Sequence, residues 1–387
     1  MSEQDNTNSQ KTQNLKIDEV LAQNAKNKVI EFKNDFEPKY EYFLNNYKNY
    51  IKQNFNDKCN FAFELFADIS TRDAKRVRAS LIYYVSQILN GFQSKRDYED
   101  AIKMGFSIET THSYLLILDD YTDKSLYRRH KPTAHILAQQ KFSKHKDFEH
   151  IGIQFAIYSS LVGNHIATKI ISELNGSDST KVKLLNTTSE NYIKTGFGQI
   201  MDFSNTFAES VSEDEIIKTF TLKTGRYTFQ NPIEVALILA FKDKEIDEHL
   251  HSVLAEYAKY VGIAFQIYDD YLGVFGKSDE TGKSNMDDIM EGKFTLIIKY
   301  AKNNATKAQL EVLEKGLGNP NLSENEYEQI LEILITTGAR NYAIERANFY
   351  MIRGLNALKK LPNKQKYNEE VIEFLIGLGH YIISRKN

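Results

Sequence analysis

Three carboxylates close a strongly apolar run in Tyr114-Leu115-Leu116-Ile117-Leu118-Asp119-Asp120-Tyr121-Thr122-Asp123. On a helix turning about 100° per residue, Asp123 lies about 40° from Asp119 and one turn on, with Asp120 beside them. Like charges gathered beside apolar residues repel and lose hydration unless a cation compensates, and oxygen ligands of this kind suit Mg²⁺. An acidic, solvated helix end is the bland alternative. It weakens because Phe265-Gln266-Ile267-Tyr268-Asp269-Asp270 again sets adjacent aspartates in an apolar run, 150 positions after Asp119. Carboxylates on two facing helices would clamp metal ions that bridge a diphosphate, whose oxygens fill the remaining octahedral positions.

Cations accompany each acid cluster. Arg128-Arg129-His130-Lys131 follows the first, Lys283 and Lys293 follow the second, and Lys75-Arg76-Val77-Arg78 lies upstream. Arginine forks match phosphate oxygens bidentately and lysine adds a point charge. His112, seven residues before Asp119, falls two turns back on the same helical face. Taken singly, each of these fits a solvated basic loop or an ordinary helix position; a polyphosphate site requires them together.

Helices must hold these groups. The 387 residues contain only 19 Gly and 5 Pro, with 41% hydrophobic and 26% charged, which excludes collagen-like and wholly disordered chains. Ile17, Val20, Leu21, Ala25 and Val29 recur at helical spacing, as do Ile344, Ala347, Met351, Leu355 and Leu358. Ser212-x-x-Glu215 and Ser323-x-x-Glu326 read as capping boxes that start helices. Pro132 and Pro232 mark breaks, and 125–133, 274–293 and 316–323 read as loops. No alternating strand pattern stands out. The fold expected is all-α: a polar tail over 1–16, unlike a signal or transit peptide, then one large helical bundle over 17–387 around a central active-site cavity. Lys plus Arg total 49 against 52 Asp plus Glu, a net charge of −3, which does not fit a general nucleic-acid binder. No stretch is long and apolar enough for a membrane span. The single cysteine, Cys59, points to a reducing, cytoplasmic setting.

In order along the chain these residues resemble the trans-isoprenyl diphosphate synthases of the polyprenyl synthetase family. Asp119-Asp120-x-x-Asp123 is similar to that family's first aspartate-rich motif, with Arg128-Arg129 and Lys131-Pro132 after it. Gly198-Gln199-x-x-Asp202 resembles its Gly-Gln motif, and Lys223-Thr224 its Lys-Thr motif. Phe265-Gln266-x-x-Asp269-Asp270 is similar to the second aspartate-rich motif, with Gly282-Lys283 and Asp288-Ile289-x-x-Gly292-Lys293 beyond. The resemblance implies that Lys75, Arg78, His112 and Arg129 bind isopentenyl diphosphate. It also implies that Arg128, Lys223, Lys283 and Lys293 hold an allylic diphosphate, with Asp119, Asp120, Asp123, Asp269 and Asp270 binding about three Mg²⁺. Thr224 and Gln266 would line the reacting carbons, where their dipoles stabilise developing positive charge. A homodimer is implied as well.

Three positions depart from the family pattern. Gly273 stands where a third aspartate of the second motif is common, Ala74 replaces a glycine before Lys75, and His130 replaces one after Arg129. The residues four and five places before the first motif shape the cavity floor in the resembling family. Here these are Leu115, one turn deeper than Asp119, and Tyr114, which flanks the cavity. One aromatic at the outer place points to geranylgeranyl diphosphate as product, with farnesyl diphosphate the alternative. A noncatalytic partner subunit would normally lack the first acid motif, and a terpene cyclase would not need Lys75, Arg78 and Arg129.

Overall fold

The computed structural model describes residues 15–208, 210–276, 285–361 and 366–384. Lys283, Gly282 and most of the expected 1–16 tail lie outside the described residues. The amino-terminal half is built from α1 (Glu19–Asn54), α2 (Asp57–Thr71), α3 (Val77–Val85) and α4 (Lys95–Thr122). A two-stranded hairpin follows, β1 (Tyr127–Arg128) and β2 (Lys131–Pro132), then α5 (Ala134–Lys141), α6 (Phe148–Ser172) and α7 (Asp178–Asn205). Next come α8 (Glu213–Phe220), a π-helical segment Thr221–Gln230, α9 (Asn231–Phe241) and α10 (Glu248–Phe275). Among the later helices are Ala339–Leu358, which packs along α10, and Glu369–Ser384, which packs on α1.

The helices form where the apolar period permits. On α1 the buried face runs Ala22, Ala25, Val29, Phe32, Phe36, Tyr40 and Leu44, steps of three and four residues. The expected face is thus rotated slightly at its start: Ile17 and Val20 are exposed and Ala22 is buried. Phe36 and Tyr40 bracket Pro38 and are fully buried, each contributing about 2 kcal/mol of burial to offset the proline. Ala347, Met351, Leu355 and Leu358 are buried as their spacing requires. Both expected capping boxes are present, and Thr306 with Gln309 makes another. Pro232 sits in the first turn of α9, where its missing N–H costs nothing. The 274–293 segment is less of a loop than expected, since α10 continues to Phe275 and Asp287–Met290 is helical.

Two hydrophobic clusters hold the bundle. One joins α10 to the carboxy-terminal helices, and the other joins α1, α2, α4 and α6. The acid-bearing ends of α4 and α10 lie one in each cluster. Along α6 and α7 an apolar stripe faces outward, including Ile157, Tyr158, Leu161, Phe197, Ile200 and Phe203. No described helix is long and apolar enough to cross a membrane.

Candidate active site

The first acid cluster ends α4. Asp119 and Asp123 are half-buried, and Asp123 caps the helix. Burial and then the charge of Asp119 push the Asp123 carboxyl up to about 7. Asp120 is placed differently from its neighbours. It is fully buried, and its Oδ1 and Oδ2 accept from Arg128 Nε at 2.7 and 2.8 Å. Asp120 thus holds and orients the Arg128 guanidinium beside the other two carboxylates of the cluster. Burial works against the charge on Arg128, but Asp120 outweighs that and keeps the guanidinium firmly protonated.

Arg128 and Arg129 stand on a turn rather than in an open loop. Arg129 and His130 both have positive φ, 51° and 61°, the conformation of a tight two-residue hairpin turn. Side-chain residues adopt it reluctantly, so something must hold it. Arg72, 4% exposed, does so. Its Nη1 donates to the Arg128 carbonyl at 2.8 Å and its Nη2 to the Pro132 carbonyl at 2.6 Å, while Asp68 anchors the guanidinium. Arg129 Nη1 donates back to the Arg72 carbonyl at 2.9 Å.

Beside this hairpin lies a patch rich in positive charge. Arg76, buried at a φ of 54°, pairs with Glu37 and Glu109 and so anchors the loop that carries Lys75 and Arg78. Lys75 is exposed. Arg78 lies over the Tyr227 ring at 4.1 Å and donates to Thr228 Oγ1 at 2.8 Å. Its Nη1 also faces His112 Nε2 at 3.4 Å. A guanidinium only donates, so Nε2 accepts, and Nδ1–H is left to donate to the Tyr227 oxygen. Burial, then Arg78 and the other arginines, hold the His112 pKa well below the usual histidine value. Burial, Arg128 and Arg76 likewise pull Arg129 down to about 10. Both shifts mark a pocket short of negative charge.

Across the site the π-helical segment carries Lys223 and Thr224. It is wedged between two helices: a Cβ on Gly198 of α7 would meet Lys223 N at 2.4 Å, and one on Gly262 of α10 would meet Gly225 Cα at 2.5 Å. One turn beyond Gly198, Asp202 accepts from Lys223 Nζ at 2.5 Å, and Gln199 donates to Asp119 at 2.9 Å. Burial opposes the lysine charge, but Asp202 and Asp119 outweigh it. Thr224 Oγ1 donates to Gln266 Oε1, and Gln266 Nε2 donates to Asp270 Oδ1 at 2.7 Å. Asp270 Oδ2 is buried with no hydrogen-bond partner among the described residues. Burial and then Asp288 raise its pKa well above the carboxylate range. Lys293 pairs with Asp288 and Glu291, both at 2.7 Å.

The structure thus brings Asp119, Asp123, Asp202, Asp270, Lys223 and Lys293 into one charged surround, and Arg78, His112 and Arg129 into another. Gln199 and Asp202, legible in the sequence as a motif without a role, belong to the site, and so do Arg72 and Tyr227, for which the sequence offered no signal. Among the described residues no three His, Cys, Asp or Glu side chains could hold an ion by themselves.

Residues 61–334 match the sequence pattern of the polyprenyl synthetase family. The chain is 30% identical over 289 residues to the geranylgeranyl pyrophosphate synthase of Geoglobus acetivorans, covering 75% of this chain and 81% of that one. It is 28% identical over 328 residues to the geranylgeranyl diphosphate synthase of Saccharolobus solfataricus, covering 85% and 91%. In fold it is similar to geranylgeranyl pyrophosphate synthase from Corynebacterium glutamicum solved with isoprenyl diphosphate and magnesium. The TM-score is 0.81 at 22% identity, over 96% of this chain and 100% of that one.

Proposed function

The chain belongs to the polyprenyl synthetase family, and from that premise we propose that it is a trans-prenyltransferase. It condenses isopentenyl diphosphate with an allylic diphosphate to a short trans-prenyl diphosphate, geranylgeranyl diphosphate being the product assigned. One observation carries the assignment of sites: two neighbouring patches are charge-starved in opposite senses. His112 and Arg129 give up protons too readily, which calls for an anion, and Asp123 and Asp270 hold protons too tightly, which calls for cations.

The all-oxygen donor set and the orphaned Asp270 oxygen fit a hard divalent ion. Asp119 and Asp123 would hold it on one side, and Asp269 and Asp270 on the other, with about three Mg²⁺ in all. When bound, such cations supply the positive charge that a departing diphosphate needs. Asp120, the remaining carboxylate of the first cluster, also orients Arg128. Lys223 and Lys293 lie against carboxylates and are ready to exchange them for phosphate oxygens. Lys75, Arg78, His112 and Arg129 hold the diphosphate of the second substrate and fix its double bond near the allylic carbon. Thr224 and Gln266 are hydrogen-bonded to each other, so their dipoles are set before the allylic cation forms. The aspartates are taken up by cations, and the released diphosphate accepts the proton lost from the new prenyl chain.

A homodimer is supported by the outward apolar stripe of α6 and α7, which includes Phe197 at 60% and Phe203 at 57% exposure. We also propose a reducing, cytoplasmic setting, with Cys59 exposed and unpaired. Incubating the purified protein with isopentenyl diphosphate, geranyl or farnesyl diphosphate and Mg²⁺, then separating the products, tests the reading. A twenty-carbon diphosphate that disappears with excess EDTA is expected. No condensation with any allylic primer would overturn it.

A further inference from the structure

On α10, Gly273 lies one turn beyond Asp269 and three residues beyond Asp270, so all three share one stretch of helix surface. Without a side chain at 273 that surface has a notch. Asp288 fills it from a separate element, the short helix Asp287–Met290. A Cβ built on Gly273 would lie 2.2 Å from Asp288 Oδ2 and 3.3 Å from its Cγ. The carboxylate therefore occupies the place where a side chain at 273 would begin. It is also oriented: Lys293 Nζ donates to Oδ1 at 2.7 Å, which turns Oδ2 toward α10.

A second observation bears on what this arrangement is for. Asp270 is 7% exposed. Its Oδ1 accepts from Gln266 at 2.7 Å, while its Oδ2 is buried with no hydrogen-bond partner among the described residues. A buried carboxylate oxygen left in this way is costly unless a ligand answers it. The orphaned Asp270 oxygen and the Asp288 carboxylate seated at Gly273 are carried by the same stretch of α10 surface, an arrangement that suits a cation as their common partner.

We propose that Asp288 is the third carboxylate of the second acid cluster, seated in the notch of Gly273, and that together with Asp269, Asp270 and the oxygens of a bound diphosphate it holds one divalent cation. This rests on the reading of the site as a divalent-cation and diphosphate site. Gly273 is then a specificity residue of the metal site, since any side chain there expels Asp288. The ligand that a helix would ordinarily present four residues after Asp269 arrives from another part of the chain.

The test is Mn²⁺ binding to the purified full chain in the presence of inorganic diphosphate, following free Mn²⁺ by electron paramagnetic resonance. Asp288→Asn and Gly273→Ala should each weaken one class of Mn²⁺ sites by at least about tenfold. Gly273→Ala should do so while the melting temperature holds or rises, because Ala suits a helix better and the displaced group is a flexible side-chain end. The pair Gly273→Asp with Asp288→Asn should restore the lost affinity by supplying the carboxylate from α10 itself. Wild-type titrations from both single variants would overturn the proposal while leaving the function intact. A wild type that takes up no Mn²⁺ with diphosphate would overturn the underlying reading and the proposal together.

Discussion

Asp120 presents both carboxylate oxygens to the Nε of Arg128, at 2.7 and 2.8 Å, and the pair is nearly sealed from water. This fixes a division of labour within a single helical turn of three carboxylates. Asp119 and Asp123 face the site, and Asp120 holds the guanidinium that faces it. Asp120→Ala leaves a buried charge unpartnered and should cost roughly 3 kcal/mol of stability. Urea unfolding should show it as a lowered midpoint with an unchanged slope.

Asp119→Ala should behave in the opposite way. In metal-free protein Asp119 raises the Asp123 pKa, so removing it relieves repulsion. The unfolding midpoint in EDTA should hold or rise. With Mg²⁺ present, kcat should fall by about 100-fold or more, because a ligand acting in the transition state is gone. Gly273→Asp alone should change kcat far less. Near-normal turnover of Asp119→Ala at saturating Mg²⁺ would show that the first motif is misassigned.

His112 gives a pH test. Its folded-state pKa lies well below 6.5, so the folded protein keeps it neutral while the unfolded chain takes up a proton. Its contribution to stability is present above the unfolded value and is lost as pH falls from about 6.5 toward the folded value. His112→Gln should flatten the decline in melting temperature between about pH 7 and 5, leaving the slope set by His135 and His380, which are also depressed, against Asp123 and Asp270, whose raised pKa values act in the opposite sense. Inorganic diphosphate should flatten the wild-type curve too, since an anion beside His112 restores its basicity.

Product length tests the cavity floor. Tyr114 packs on the amino-terminal core, and Leu115 is half-buried on α4 one turn before Asp119. Leu115→Phe should add bulk where the last isoprene unit would lie and shift products toward fifteen carbons. Chromatography of both product mixtures checks this, and an unchanged spectrum would place the floor elsewhere.

Much of the bundle was legible because Ala347, Met351, Leu355 and their equivalents repeat with the helical period and because caps such as Ser212 and Glu215 are local. The acid and base motifs were legible because chemistry confines them to a few residue types. The pairings were not. Arg72 and Arg76 look like solvated helix-end cations, yet both are buried, because Glu37, Glu109 and the carbonyls of Arg128 and Pro132 reach them from distant segments. The 127–132 hairpin lacks the Asn-Gly or Gly-Gly that usually announces such a turn, and Arg72 supplies the missing stability from outside it. Nothing at Gly273 announces that residue 288 will fill its place.

The winding of Thr221–Gln230 has a bearing on how this protein tolerates change. A π-helix closes each turn with one residue more than an α-helix, so the segment holds surplus chain relative to the same run wound as α. Deleting Leu222 would leave every charged and hydroxyl side chain of the site in place as a residue type. The shortened stretch would be free to rewind as ordinary helix, and Lys223 and Thr224 would rotate by about 100° relative to Gln266 and Asp202. Here the number of residues carries information that their identities do not. An indel would silence the enzyme at a position where many point substitutions would pass unnoticed.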